Sequence, residues 1–105
     1  MIMKVVISKR FFDQVNEAAI FLSNVSYQAA KDLLENISVT IEKIKMFPTA
    51  FPRFLGNTIA GINYRKANLI NGRYAVIYSL KEDYIYVNMF IDYRQNNNRL
   101  LDLLD

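Results

Sequence analysis

The stretch Leu69–Tyr78 reads LINGRYAVIY and contains the clearest turn signal in the chain. Its Asn71-Gly72 dipeptide lies between two apolar runs, and it suits a two-residue type I′ turn because both turn positions need a positive φ. A second polar return, Lys81–Asp83, precedes the β-branched and aromatic run Tyr84–Ile91. The sequence therefore predicts a three-stranded antiparallel meander between Tyr64 and Ile91.

The length of each turn predicts which strand residues pair. A two-residue first turn places Arg65 opposite Tyr78 and Lys66 opposite Ile77. A three-residue second loop would place Tyr78 beside Tyr86. On this register the helix-facing side of the last strand carries Ile85, Val87, Met89 and Ile91. The open face of the sheet would then carry Arg65, Tyr74, Tyr78, Tyr86 and Asn88.

A strand and two helices are predicted before the meander. Met1–Ile7 is rich in Val and Ile, which favours a strand. Apolar residues then recur at three- and four-residue steps, so we expect helices over Lys9–Asn24 and Tyr27–Met46, capped by Ser8 and Ser26. The short connection between them predicts an antiparallel helical hairpin that packs on one face of the sheet.

The other segments are predicted from their proline, glycine and apolar residues. Pro48 ends the second helix, and the connector Phe47–Phe54 contains three Phe. These rings either plug the end of the core or form an exposed docking patch. Leu55–Ile62, which contains two glycines, is predicted to be a loop, and Arg99–Leu104 a short C-terminal helix.

The composition predicts one α+β domain spanning residues 1–105 and excludes several kinds of site. The chain has no Cys and no His, which excludes disulfides, thiolate nucleophiles, a histidine base and zinc sites built from these residues. The carboxylates lack convergent spacing and no Gly-rich phosphate loop occurs, so we expect neither a metal nor a cofactor. The net charge of +3 permits contact with nucleic acid or with an acidic partner.

The sequence gives no indication of membrane attachment or export. No apolar run approaches the roughly 18 residues of a membrane span. The first residues lack the apolar stretch and small-residue cleavage site of a signal peptide. We therefore expect a cytoplasmic location and no membrane partner.

Ordered features along nearly the whole chain resemble one bacterial superfamily. They are the run Ile41–Ile44 leading to Pro48, the segment Ala60–Lys66, the strand Gly72–Tyr78 and the strand Val87–Arg94. A strand, a helical hairpin and an antiparallel sheet in this order, with these residues, are similar to the RelE/ParE toxins of type II toxin–antitoxin systems.

The resemblance implies a growth-inhibiting toxin of the plasmid-stabilisation type, neutralised by an antitoxin encoded beside it. The antitoxin would wrap an extended, partly helical segment over the groove between the helices and over the sheet. A short acidic chain that folds on binding would suit such a surface. A free homodimer and a toxin–antitoxin heterotetramer both remain open.

The superfamily contains two mechanisms. RelE-like members cut messenger RNA in the ribosomal decoding site, whereas ParE-like members inhibit DNA gyrase and have no known catalytic activity. RNA cleavage without a metal needs a base, positive charge on the phosphate and an acid. Because His is absent, the catalytic candidates for a metal-independent endoribonuclease are Arg65, Lys66, Tyr93 and Arg94.

This chain departs from the RelE-like pattern. Ala75 stands where those enzymes carry an Arg, and their lysine pair is reduced to Arg65-Lys66, although Arg94 matches their last basic residue. The spacing from Gly61 to Gly72 is closer to ParE-like chains, which favours gyrase inhibition.

The target-binding candidates are Arg65, Lys66, Arg73, Tyr78, Tyr86, Arg94 and Arg99. Two alternatives remain: each basic residue could form an ordinary ion pair, and the protein could be a non-toxic, partner-binding remnant of the family.

Overall fold

The computed structural model describes residues 3–59, 62–70 and 72–94. Its elements in chain order are β1 (Lys4–Ile7), α1 (Lys9–Ser23), α2 (Tyr27–Met46), β2 (Arg53–Ile59), β3 (Ile62–Asn68), β4 (Tyr74–Lys81) and β5 (Tyr84–Asp92). The strands form one sheet in the order β1-β5-β4-β3-β2. The predicted α+β class, N-terminal strand and helical hairpin are confirmed, and the predicted C-terminal helix over Arg99–Leu104 lies outside the described residues.

Serine side chains begin both helices, as the sequence predicts. The Phe11 N–H donates to Ser8 Oγ over 3.0 Å, and the Ala29 N–H donates to Ser26 Oγ over 3.2 Å. Each bond satisfies one of the amides that the first turn of a helix leaves without a helical partner. Ser8 Oγ also donates to the Asn88 carbonyl over 2.8 Å, so the start of α1 is tied to β5.

The prediction of a loop over Leu55–Ile62 is wrong, because β2 occupies most of this range. β2 is an edge strand that pairs antiparallel with β3, with Arg53 opposite Arg65 and Thr58 opposite Asn63. The register shifts between these two pairs. Gly56 lies between them, and glycine in a strand often accompanies such an irregularity.

The first hairpin has the predicted register. Arg65 lies opposite Tyr78 and Lys66 lies opposite Ile77. Gly72 has a φ of 71°, and its N–H donates to the Leu69 carbonyl over 2.9 Å. A residue without Cβ adopts this left-handed conformation at no steric cost, which is why glycine stands at this turn.

The second hairpin differs from the prediction in two ways. The return has two residues and not three, because Lys81 pairs with Tyr84 and Glu82 adopts a φ of 56°. Farther along, Tyr78 lies opposite Val87 while Ile77 lies opposite Met89. β5 therefore carries one extra residue, Asn88, in a β-bulge.

The bulge changes which side chains share a face of the sheet. The side that packs on the helices includes Ile85 and Val87 before the bulge but Phe90 after it. Met89 and Ile91, predicted to face the helices, lie on the opposite side in a second buried cluster with Phe54, Tyr64, Ala75 and Ile77. Tyr74 and Tyr78, predicted on an open face, are buried on the helix side. We call these two surfaces the helix side and the far side.

Helix α1 stabilises the bulged strand directly. The Phe11 ring meets the Phe90 ring edge-on, with the ring centroids 6.0 Å apart. The Phe90 N–H donates to Gln14 Oε1 over 2.9 Å. A bulge disrupts the strand ladder locally, and this side-chain bond satisfies a buried amide two residues beyond Asn88.

Deletion of Asn88 tests whether the bulge sets the two faces. We expect the deletion to destabilise the protein by more than about 4 kcal/mol, because every later residue of β5 would exchange faces. Asn88→Ala is the matched control and should cost only about 1 kcal/mol, since it loses the bond from Ser79 Oγ to Asn88 Oδ1 but keeps the bulge. Urea unfolding curves measure both effects, and equal losses of stability for the two variants would contradict the assignment.

Candidate functional site

Arg65 and Tyr78 bind the connector between α2 and β2. Arg65 Nη1 donates to the Thr49 carbonyl over 3.2 Å and to the Phe51 carbonyl over 2.7 Å. The Tyr78 hydroxyl donates to the Pro48 carbonyl over 2.6 Å. Both predicted target-binding residues are therefore engaged inside the protein, and the bonds of Arg65 run to backbone carbonyls.

The aromatic connector combines both of the interpretations drawn from its sequence. The Phe51 ring lies edge-on to the Tyr78 ring at 6.2 Å between centroids, and Phe54 is buried on the far side. Phe47, in contrast, is 57% exposed. Two of the three rings thus fill core positions, and one is accessible to a partner.

Burial controls the chemistry of Tyr78. Its side chain is fully buried, and burial raises the pKa of its phenol to about 12, while the nearby Arg65 opposes the rise. The hydroxyl stays protonated at neutral pH and acts as a hydrogen-bond donor to the connector. A phenol held in this state cannot serve as a general base.

A cluster of charged groups lies where β4 begins and β5 ends. Arg94 Nη2 lies 2.9 Å from Asp92 Oδ2, and Arg94 Nε donates to Asp92 Oδ1 over 3.1 Å. Arg94 Nη2 also lies 3.5 Å from the Tyr74 hydroxyl. The Arg73 guanidinium lies 5.8 Å from the Tyr74 ring centroid. Two guanidinium groups thus lie near one carboxylate, which leaves this end of the sheet positive. We call Arg73, Tyr74, Asp92 and Arg94 the arginine end.

Burial also raises the pKa values of the two acidic groups at the arginine end. It raises the pKa of the Asp92 carboxyl, with Arg73 opposing the rise. Burial raises the pKa of the Tyr74 phenol as well, with Arg73 lowering it and Asp92 raising it. The fork of bonds from Arg94 to Asp92 fixes the position of the guanidinium. Arg94 is consequently held at the surface in one orientation, with nearly half of its side chain exposed.

Lys66 and Tyr93 meet on the far side. Lys66 Nζ lies 5.5 Å from the centroid of the Tyr93 ring, and the Tyr93 hydroxyl donates to Asn68 Oδ1 over 2.7 Å. A cation above a ring face is attracted by the ring quadrupole, so the two side chains hold each other in place. Asn68 belongs to this cluster and was not predicted from the sequence, although its position two residues after Lys66 puts it on the same face.

The four candidates for RNA cleavage do not converge. Lys66 and Tyr93 contact each other on the far side, whereas Arg65 and Arg94 contact groups of the helix side. The partners of these two arginines, Tyr78 and Tyr74, are four residues apart along β4, which is about 13 Å in a strand. A reacting phosphate could therefore not touch all four groups at once.

The remaining predicted residues lie elsewhere. Tyr86 is on the far side, where its ring lies 5.8 Å from the Tyr84 ring between centroids. Arg99 lies outside the described residues. Within residues 3–59, 62–70 and 72–94, no group of three or more Asp or Glu side chains could hold a metal ion.

The tip of the helical hairpin exposes large apolar side chains. Val25 is 77% exposed and Tyr27 is 78% exposed, and Ile20 and Phe21 on α1 are also largely exposed. The segment Ala18–Ala30 around them contains no charged residue. Along α2 a shallow groove follows, lined by Lys31, Leu34, Glu35, Ser38 and Val39. Contiguous exposed apolar groups of this kind mark interaction surfaces.

Comparison with other proteins does not add to the site. No protein-family model matches the chain, and no curated protein is significantly similar to it. The helices among the described residues are α1 and α2, and neither is long and apolar enough to cross a membrane.

Tyr78→Phe tests the attachment of the connector to the sheet. The folded-state pKa of about 12 exceeds the ordinary value of 10.0, so this phenol contributes stability that is complete below pH 10 and is lost as the pH rises through 12. We expect the variant to lose about 1 kcal/mol at neutral pH. We also expect its stability to fall less steeply than that of the original protein above pH 10.

Urea unfolding at a series of pH values measures both effects. Tyr27→Phe is the control, because it removes an exposed hydroxyl of the same kind. Equal slopes above pH 10 for Tyr78→Phe and the original protein would show that the Tyr78 hydroxyl is not bound as described.

Proposed function

We propose that this chain is the toxin of a bacterial type II toxin–antitoxin system of the RelE/ParE superfamily. It acts in the cytoplasm, stabilises the genetic element that encodes it, and inhibits growth by binding DNA gyrase. The observation that carries the proposal is the order of elements, a strand, a helical hairpin and an antiparallel meander in one sheet. This is the order on which the sequence resemblance rests.

The positions of the basic residues favour binding over RNA cleavage. Metal-independent cleavage needs a base, an acid and positive charge around one phosphate. Here Arg65 is bonded to the connector, Arg94 to Asp92, and the Lys66–Tyr93 pair lies on the other side of the sheet. The arginine end remains suitable for a macromolecular partner, because Arg94 is exposed and held rigidly by its carboxylate.

A RelE-like ribosome-dependent ribonuclease is the second candidate function. It is favoured by the Lys66–Tyr93 contact, in which an ammonium and a phenol lie together beside Asn68. These groups could supply charge and a proton to a phosphate on the far side. The site would then have only two of the four groups predicted for it, which is why this candidate comes second.

An antitoxin is the partner proposed for the tip of the helical hairpin. The exposed apolar side chains around Val25 and Tyr27 need a partner with an apolar face, and the adjoining groove adds the exposed Leu34 and Val39 to this surface. A segment that folds on binding could cover the tip and the groove together. Either a toxin–antitoxin heterotetramer or a simple heterodimer is compatible with this arrangement.

Induction of the protein in bacterial cells tests the mechanism. We expect growth to stop, a DNA-damage response to begin and messenger RNA to stay intact. With purified gyrase, the protein should inhibit supercoiling. Replacing both Arg73 and Arg94 by Ala should weaken that inhibition at least about tenfold, as expected when anchoring arginines are removed. Replacing Arg10 and Lys43, two exposed cations of the helices, by Ala is the matched control and should change nothing.

Other outcomes would overturn the gyrase assignment. Codon-phased cuts in messenger RNA that disappear in Lys66→Ala would establish the ribonuclease instead. Normal growth at high expression, with supercoiling unaffected, would indicate a non-toxic remnant that only binds a partner.

The antitoxin surface has its own test. A small acidic protein encoded next to this chain should bind it and restore growth. Tyr27→Lys should weaken that binding by at least about tenfold, because it places a charge in an apolar contact, while toxicity is retained. Lys9→Ala, on the exposed side of α1, is the control. Unchanged neutralisation of the Tyr27→Lys toxin would exclude the hairpin tip as the antitoxin surface.

A further inference from the structure

Two tyrosine rings lie together on the far side near one corner of the sheet. Ile85 and Val87 of β5 pack on the helix side, so the alternate residues Tyr84 and Tyr86 point to the far side. Their ring centroids are 5.8 Å apart, and both side chains are partly exposed. Neither ring belongs to the buried clusters of the described residues.

Strand register places a lysine on each side of Tyr84. Lys4 of β1 is its partner in the parallel pairing, and Lys81 of β4 is its partner in the antiparallel pairing. Both lysines are exposed and share the far side with the ring, because their neighbours Val5 and Leu80 pack against the helix-side cluster. The described residues show no ion pair for either lysine, although the Glu82 and Asp83 carboxylates stand in the adjacent turn.

We propose that this corner of the sheet binds single-stranded nucleic acid by stacking bases on Tyr84 and Tyr86. Exposed aromatic rings on a sheet are suited to unstacked bases, and flanking lysines are suited to the phosphates that join them. Duplex nucleic acid fits poorly, because its bases are already stacked on one another. β1 is the edge strand, so a nucleic-acid strand can enter and leave across the corner beside it.

This activity goes beyond the proposed toxin function and does not depend on it. The corner uses none of the arginine-end residues and none of the hairpin-tip residues. A protein that binds nucleic acid but leaves gyrase unaffected would therefore retain this site and lose the gyrase assignment. Inhibition of gyrase without any binding of nucleic acid would exclude this site and leave the gyrase assignment in place.

Fluorescence anisotropy with labelled oligothymidylate and oligouridylate of about ten nucleotides tests the site at low salt. Tyr84→Ala and Tyr86→Ala should each weaken binding by roughly five-fold or more. Phe12→Ala removes an exposed aromatic ring from α1 and should leave the affinity unchanged. Comparison of the two oligonucleotides distinguishes DNA from RNA as the preferred ligand, and a duplex competitor should displace neither.

The lysines have a separate readout in the salt dependence. Lys4→Ala and Lys81→Ala should each make the slope of log affinity against log salt less steep, by about 0.7 for each phosphate that the lysine neutralises. Lys43→Ala removes an exposed lysine of α2 and should leave the slope unchanged, and Glu82→Gln should strengthen binding. Circular dichroism shows whether each variant is folded. The proposal is overturned if neither oligonucleotide binds, or if folded Tyr84→Ala and Tyr86→Ala proteins bind as tightly as the original.

Discussion

The extra residue at Asn88 is the constraint on which the arrangement of this protein depends. Without it, strict alternation along β5 would direct Met89 and Ile91 to the helices and Phe90 away from them. With it, Phe90 packs between Phe11 and Tyr74, and its stacked contact with Tyr74 has a centroid distance of 5.2 Å. The same shift puts Asp92 on the helix side with Tyr74 and sends Tyr93 to the far side with Lys66. One backbone irregularity thus determines the composition of both candidate surfaces.

The proline-containing connector explains why two predicted site residues have a structural role. Pro48 and Pro52 lack a backbone N–H and hold the chain out of a helix, so several carbonyls of the connector have no helical partner. Arg65 and Tyr78 donate to these carbonyls. A guanidinium provides several donors in a fixed geometry, which lets one side chain bind two carbonyls two residues apart. Sequence reasoning assigned Arg65 to a target because an exposed strand arginine and a carbonyl-binding one have the same local pattern.

Much of the fold can be predicted from local signals, since turn chemistry and helix caps act over a few residues. The Asn71-Gly72 turn predicts the pairing of Arg65 with Tyr78, and two serines predict where the helices begin. The faces of the last strand could not be predicted, because nothing in the sequence around Asn88 requires a bulge. The bulge is stabilised by distant groups, the Ser8 hydroxyl and the Gln14 amide. The edge strand β2 was missed for a similar reason: pairing with β3 outweighs the local preference of glycine for loops.

The two sides of the sheet therefore offer different chemistry to partners. On the helix side, Asp92 at the arginine end holds the Arg94 guanidinium in place while nearly half of the Arg94 side chain stays exposed. On the far side, lysines and tyrosines lie around a buried apolar centre, and the described residues provide no carboxylate in the strands of that side. A protein partner with acidic groups suits the first surface, whereas stacking and phosphate contacts suit the second. Because the two surfaces lie on opposite sides of one sheet, a ligand bound on one side leaves the other side accessible.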